Sequence, residues 1–131
     1  MAQQTSSQAL TDTGLLNITS EIKKHGTGIT LNNNVFTINL KSGISAVEVN
    51  ANVLAYGTLN QNKEIRILKN GNTAYLNQFK PSANNFNLGV NAVITVSEGD
   101  TISIQVVASN DNTTTTVGST STNMVSIKAI K

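Results

Sequence analysis

The 131-residue chain has no cysteine and no tryptophan, one proline and one histidine, and only three Phe and two Tyr. Without cysteine, disulfide staples and thiolate chemistry are excluded. A single histidine, His25, makes a zinc centre untenable as well. Charge is scarce too: 9 basic against 7 acidic residues, a formal net charge of +2. Arg66 is the one arginine and Lys23-Lys24 the one basic pair. This is not the basic patch interleaved with aromatics that nucleic-acid binding requires. Apolar runs are short, Val53-Leu54-Ala55-Tyr56 being typical, so no segment reads as a membrane span. The start, Met1-Ala2-Gln3-Gln4-Thr5-Ser6-Ser7, lacks the basic start and apolar run of a secretory signal, which leads us to expect synthesis in a reducing cytoplasm.

What is present is Asn, Thr, Ser and Gln in abundance, set among Val and Ile. Branched aliphatics and threonine suit a pleated, half-buried surface. The length fits one domain with a core of its own. Residues 1–14 are polar and non-periodic and are expected to be a flexible tail; residues 15–131 are expected to form a single β-sandwich. Leu15 to Ile22 fits a first strand or a helical turn equally well. Ile29-Thr30-Leu31 and Val35 to Leu40 alternate with period two around Asn32-Asn33-Asn34. Then comes the clearest strand: Val47, Val49, Ala51, Val53 and Ala55 on one face, with Glu48, Asn50 and Asn52 on the other. Glu64 to Leu68 and Thr73 to Leu76 flank Asn70-Gly71, a hairpin signal because a type I′ turn needs positive φ at both centres. Residues 77–89, with Pro81, Phe79 and Phe86, read as a longer loop carrying two aromatic plugs. Val90 to Val96 and Ile102 to Ala108 alternate about Ser97-Glu98-Gly99-Asp100, residues 109–123 read as a long exposed loop, and Val125, Ile127 and Ile130 mark a closing strand. About eight or more antiparallel strands predict an all-β sandwich or barrel.

Four stretches carry a resemblance. They are Ala46 to Val53, Ile65 to Tyr75 with Lys69-Asn70-Gly71, Val93 to Ile104 around Gly99-Asp100, and Ser121 to Ile130. In this order they resemble the complement-C1q and tumour-necrosis-factor-like jelly-roll superfamily over roughly residues 26–131. The Asn- and Thr-rich style is similar to its bacteriophage branch, found on tail, baseplate or head-fibre tips. The aromatic content is lower than in the animal members, and the 131 residues contain no collagen-like repeat. The resemblance implies a jelly-roll sandwich and a homotrimer. Leu54, Tyr56, Tyr75, Phe79 and Phe86 are the candidates to fill a trimer interface, because aromatics are enriched in interface cores; the competing role for each is the monomer's own core.

No catalytic constellation stands out. His25 sits in a turn beside two lysines, and no serine lies in a Gly-x-Ser-x-Gly elbow. Glu98 and Asp100 flank Gly99 as paired carboxylates, a pattern that serves glycosidases or calcium, but their hairpin position favours a structural turn. Asp111 lies between Asn110 and Asn112 in a loop of the kind where some family members hold calcium; no cofactor is expected, and calcium is left unassigned. The sequons Asn17-Ile18-Thr19 and Asn112-Thr113-Thr114 arise by chance in a chain of this composition.

The expectation is therefore a non-enzymatic structural protein of a phage virion surface. It would be a homotrimer that contacts other virion proteins and presents loops to a host glycan or protein receptor, or that decorates a capsid or tail. Neither nucleic acid nor membrane insertion is expected. Asn110, Asp111, Asn112 and Thr114 are the receptor-loop candidates, since neutral amides and hydroxyls suit sugar hydroxyls and peptide groups. A stand-alone carbohydrate-binding or adhesin module is the alternative, and a hydrolase of cell-wall glycans is the weakest reading.

Overall fold

The computed structural model describes residues 28–32, 35–39, 43–56, 63–80, 85–108, 114–116 and 124–131, with short strands at 2–3, 8–10, 13–15 and 20–21. Every regular element among these is a strand: β1 Ala2–Gln3, β2 Gln8–Leu10, β3 Thr13–Leu15, β4 Ser20–Glu21, β5 Ile29–Asn32, β6 Val35–Ile38, β7 Ala46–Tyr56, β8 Lys63–Lys69, β9 Asn72–Phe79, β10 Asn85–Thr95, β11 Thr101–Ala108, β12 Thr114–Thr116 and β13 Met124–Ile130.

Two antiparallel sheets form. In the first, β7 pairs along its whole length with β10, from Asn85↔Tyr56 to Thr95↔Ala46. Its other side is shared: β13 takes residues 46–52 and β12 takes Ala55 and Tyr56. β1 and then β4 continue the sheet beyond β13, and β2 continues it beyond β12. In the second sheet, β11 pairs with β8 on one side and with β6 and β3 on the other; β9 lies outside β8, and β5 outside β6. From β7 onward the chain crosses to the second sheet for β8 and β9, returns for β10, crosses again for β11 and returns for β12 and β13. This back-and-forth winding is the double Greek key of a jelly roll.

The alternation of β7 sets the core. Val47, Val49, Ala51 and Val53 are buried, while Glu48, Asn50 and Asn52 face outward. Across the sandwich they meet Ile65, Ile67, Ile102, Ile104 and Val106, and beside them Leu88, Val90 and Ile94. Each buried Val, Ile or Leu among them contributes about 1.5–3 kcal/mol by leaving water. The hairpin turn forms as expected, with φ of 54° at Asn70 and 81° at Gly71.

Three expectations change. The stretch 1–14, expected as a tail, supplies β1, β2 and β3 to the two sheets. Strand pairing uses backbone groups only, so it demands no apolar periodicity in the sequence. The loop expected over 77–89 shrinks to the residues between Phe79 and Asn85, because β9 and β10 run on through asparagines that tolerate an outward or edge position. Within 109–123, Thr114–Thr116 form a strand against β7 and β2.

Candidate functional site

The register of β10, β7 and β13 sets the outward side chains of the first sheet in rows. Gly89, Asn52 and Met124 make one; Asn91, Asn50 and Ser126 make the next; Val93, Glu48 and Lys128 follow. The first two rows floor an open groove of about 590 Å³. Tyr75 and Asn77 of β9 form its rim. None of its lining residues is charged.

The rim depends on how β9 sits. Tyr75, Asn77 and Phe79 pair with Ile67, Ile65 and Lys63, so all three lie on the inward side of the second sheet. Phe79 there packs against the core. Tyr75 lies farther along the overhanging strand and stays 48 % exposed. The Asn77 side-chain amide donates to the Gly89 carbonyl at 3.0 Å, which ties the edge of one sheet to the edge of the other. A capped edge carbonyl is one fewer template for unwanted strand addition. A Cβ built on Gly89 would meet only ordinary contacts, the nearest being the Ala51 carbonyl oxygen at 3.8 Å. Glycine here keeps the groove floor low without being required by the backbone.

Of the interface candidates, Tyr75 lies on this groove and Leu54 is half-buried on the same outward side of β7. Phe86, like Phe79, is half-buried against the core. Tyr56 pairs through its backbone with Asn85 and Thr115, and its side chain lies outside the described residues. Among the receptor-loop candidates, Asn110, Asp111 and Asn112 lie outside the described residues, and Thr114 is the first residue of β12, opposite Leu10. His25 also lies outside them. Asn50, Asn52, Asn77, Asn91 and Gly89 carry no site signal in the sequence. Their outward alternation was visible, but their convergence depends on a register that no single strand encodes.

At one end of the sandwich, the carboxylate of Asp100 accepts from the Asn70 side chain at 2.9 Å and from the Ser97 backbone amide at 2.8 Å; Lys69 stands 3.6 Å away. These hydrogen bonds, the Asn70 one foremost, hold the Asp100 carboxyl below its ordinary range. Asp100 thus fastens two turns. Among the described residues, no cluster of three or more His, Cys, Asp or Glu is arranged to hold a metal, and no helix is long and apolar enough to cross a membrane.

On the second sheet, Glu64 accepts from Gln78 and from Arg66, both at 2.7 Å. The Gln78 bond, followed by the Arg66 guanidinium, lowers the carboxyl's pKa against the opposing pull of burial. Nearby, Leu68, Ser103 and Val107 also stand on the outward side, yet all three are buried.

No family model and no curated protein matches the sequence. Solved structures of murine APRIL, a TNF-family jelly-roll protein, do match in shape. The one at pH 5.0 has a TM-score of 0.65 at 11 % identity, over 88 % of this chain and 96 % of that one. The one at pH 8.5 gives 0.65 at 10 %, over 90 % and 95 %. The one at pH 8.0 gives 0.58 at 10 %, over 86 % and 98 %. None of these three is a phage protein, and identity this low carries the fold alone. With the strand order and the register, they give this chain a TNF-like jelly-roll fold.

Proposed function

We propose that the chain is a non-enzymatic assembly domain that forms a homotrimer through the outer face of its first sheet. The carrying observation is that face: a groove lined without charge by Asn50, Asn52, Asn91, Ser126 and Met124 and rimmed by Tyr75. Interface cores favour Tyr and Met and disfavour Lys, Glu and Asp. The face and the β9–β10 edge are different patches of one molecule. A contact between unlike patches is heterologous, and it closes into a ring when the rotation permits. The superfamily resemblance implies three copies. Amides that do not meet directly are bridged by water at little cost.

Light scattering on the full chain tests this. The expected mass is three times 13.8 kDa at micromolar concentration. A monomer mass at that concentration overturns it.

The setting we propose is the surface of a phage particle, as a receptor-binding tip or a decoration. The support is the neutral, amide-rich composition, which keeps a surface soluble without charge. Mass spectrometry of purified particles, with labelled protein located by electron microscopy, tests that step; absence from particles removes it. The second reading is a carbohydrate-binding module. It is favoured by the four asparagines and one tyrosine ring around the groove, suited to sugar hydroxyls and stacking. A monomer that binds neutral oligosaccharides, and loses them when Tyr75→Ala is introduced, would select it.

A further inference from the structure

Asn70-Gly71 is the only Asn-Gly pair in the sequence. This dipeptide is chemically fragile. The Gly71 nitrogen, once deprotonated, can attack the Asn70 side-chain carbonyl carbon. A C–N bond forms, the bond to Nδ2 breaks, and ammonia leaves carrying the proton. Water then opens the five-membered imide at either carbonyl, giving aspartate or isoaspartate, and no electrons change hands. Glycine leaves the attacking nitrogen unshielded, and a Cβ built on Gly71 would find nothing within 4 Å, so the turn is open to water and base.

The fold opposes that reaction. Both atoms of the Asn70 amide are occupied by the neighbouring turn, some thirty residues away in sequence. Nδ2 donates to Asp100 Oδ1 at 2.9 Å, and Oδ1 accepts the Thr101 backbone amide at 2.9 Å. The Asn70 backbone amide also donates to the Thr101 carbonyl at 2.9 Å. The side chain therefore reaches across to the 97–101 turn instead of forward onto Gly71.

We propose that Asn70 is a fold-protected deamidation site whose conversion unfastens the two turns it joins. A carboxylate at position 70 cannot donate, and it would face Asp100 Oδ1 across the distance the hydrogen bond now spans. Lys69, 3.6 Å from the other Asp100 oxygen, is the cation in reach; Glu98 adds a further negative charge to the same turn. The isoaspartate product also lengthens the backbone by one carbon and breaks the two-residue turn that sets the β8–β9 register. The inference is independent of how copies assemble.

The test incubates the full chain at mildly alkaline pH beside an excised peptide of residues 66–75, and follows amide loss by mass spectrometry. Only locally opened molecules react, so the intact chain should convert about tenfold or more slowly than the peptide. Asp100→Ala, which removes the Nδ2 acceptor, should accelerate conversion in the folded chain. Asp100→Asn keeps an acceptor oxygen and should stay slow. Asn70→Asp should lower the melting temperature while leaving the strand signal of the folded state. Equal rates in chain and peptide overturn the proposal, as does an unchanged melting temperature for Asn70→Asp. Those two readouts decide the matter even where Asp100→Ala fails to fold.

Discussion

On the first sheet, the outward positions around the middle of β7, β10 and β13 are asparagine, serine, glycine and methionine, all exposed or half-exposed. On the second, outward Leu68, Ser103 and Val107 are buried, and Glu64, Arg66 and Gln78 are tied together beside them. Both faces back onto the same aliphatic core, so the core does not account for the difference. Their own side chains do. In β11 the alternation breaks at Val106-Val107, and in β8 at Ile67-Leu68, where the pairing with β9 shifts by one residue. A strand buried on both sides carries apolar residues in succession, whereas one that stays wet on one side alternates cleanly. β7 alternates through three pairs, Val47-Glu48 to Ala51-Asn52, and its outer face there is open.

The sharpest way to break this contrast is to place a carboxylate on each face. Leu68 is 6 % exposed. Leu68→Asp buries a charge or forces it to neutralise, at a cost of several kcal/mol, and the cooperative melt should be lost. Asn52→Asp on the open face should change monomer stability by no more than about 0.5 kcal/mol. Matching melting curves for the two would show that the second face is as open as the first.

A second test separates assembly from folding. Asn91→Lys puts a cation into the uncharged groove. A buried, unpaired charge in an interface costs on the order of 3–5 kcal/mol, so the mass of the proposed trimer should fall to that of the monomer while the strand signal persists. Arg in place of Gly89 should act in the same direction by filling the groove floor. A trimer that survives both substitutions places the interface elsewhere.

The core face of β7 was legible because a period of two is written directly into Val47, Val49, Ala51 and Val53. The β8–β9 turn was legible because only a few residues accept positive φ, and Asn-Gly is the commonest such pair. Tyr75 and Leu54 were legible as candidates for either an interface or the core, and the pairing that sets Tyr75 on the inward side of an exposed edge strand was not. The groove was not. Asn50 and Asn52 look like any wet-face residues until pairing sets Asn91 and Gly89 beside them. The short strands before residue 22 were not legible either, since their pairing is backbone to backbone and leaves no pattern in side-chain polarity.

A third, smaller effect is set by pH. Asp100 and Glu64 both have carboxyls held below their ordinary range, by hydrogen bonds from Asn70 and Gln78 first of all. A depressed folded-state pKa stabilises the fold fully above the unfolded value of about 4, and that contribution is lost as pH falls through the folded value. The melting temperature should therefore be flat from pH 7 to 5 on account of these groups and decline below about 4. Asp100→Asn should remove part of that slope. A melting temperature that rises on acidification through this window contradicts the assigned hydrogen bonds.

The smallest effect is expected at Arg66, although its ion pair looks strong on paper. Its Nε donates to Glu64 Oε2 at 2.7 Å, and Nη2 stands 2.6 Å from the same oxygen. Yet the pair is only part-buried, with the Arg66 side chain 29 % and the Glu64 side chain 14 % exposed. Water and salt screen such a pair, and measured values fall near 0.2–1 kcal/mol. Removing the arginine also does not orphan the carboxylate, because Gln78 still donates to Glu64 Oε1. Arg66→Met keeps an unbranched aliphatic side chain and deletes the charge. It should cost under about 1 kcal/mol, and less in high salt. A double-mutant cycle with Glu64→Gln isolates the pair from the packing of its stem. A coupling well above 2 kcal/mol would mean that the second face is drier around Arg66 than its exposure indicates. The contrast between the two outer faces would then extend from Leu68 and Val107 across the whole of β8.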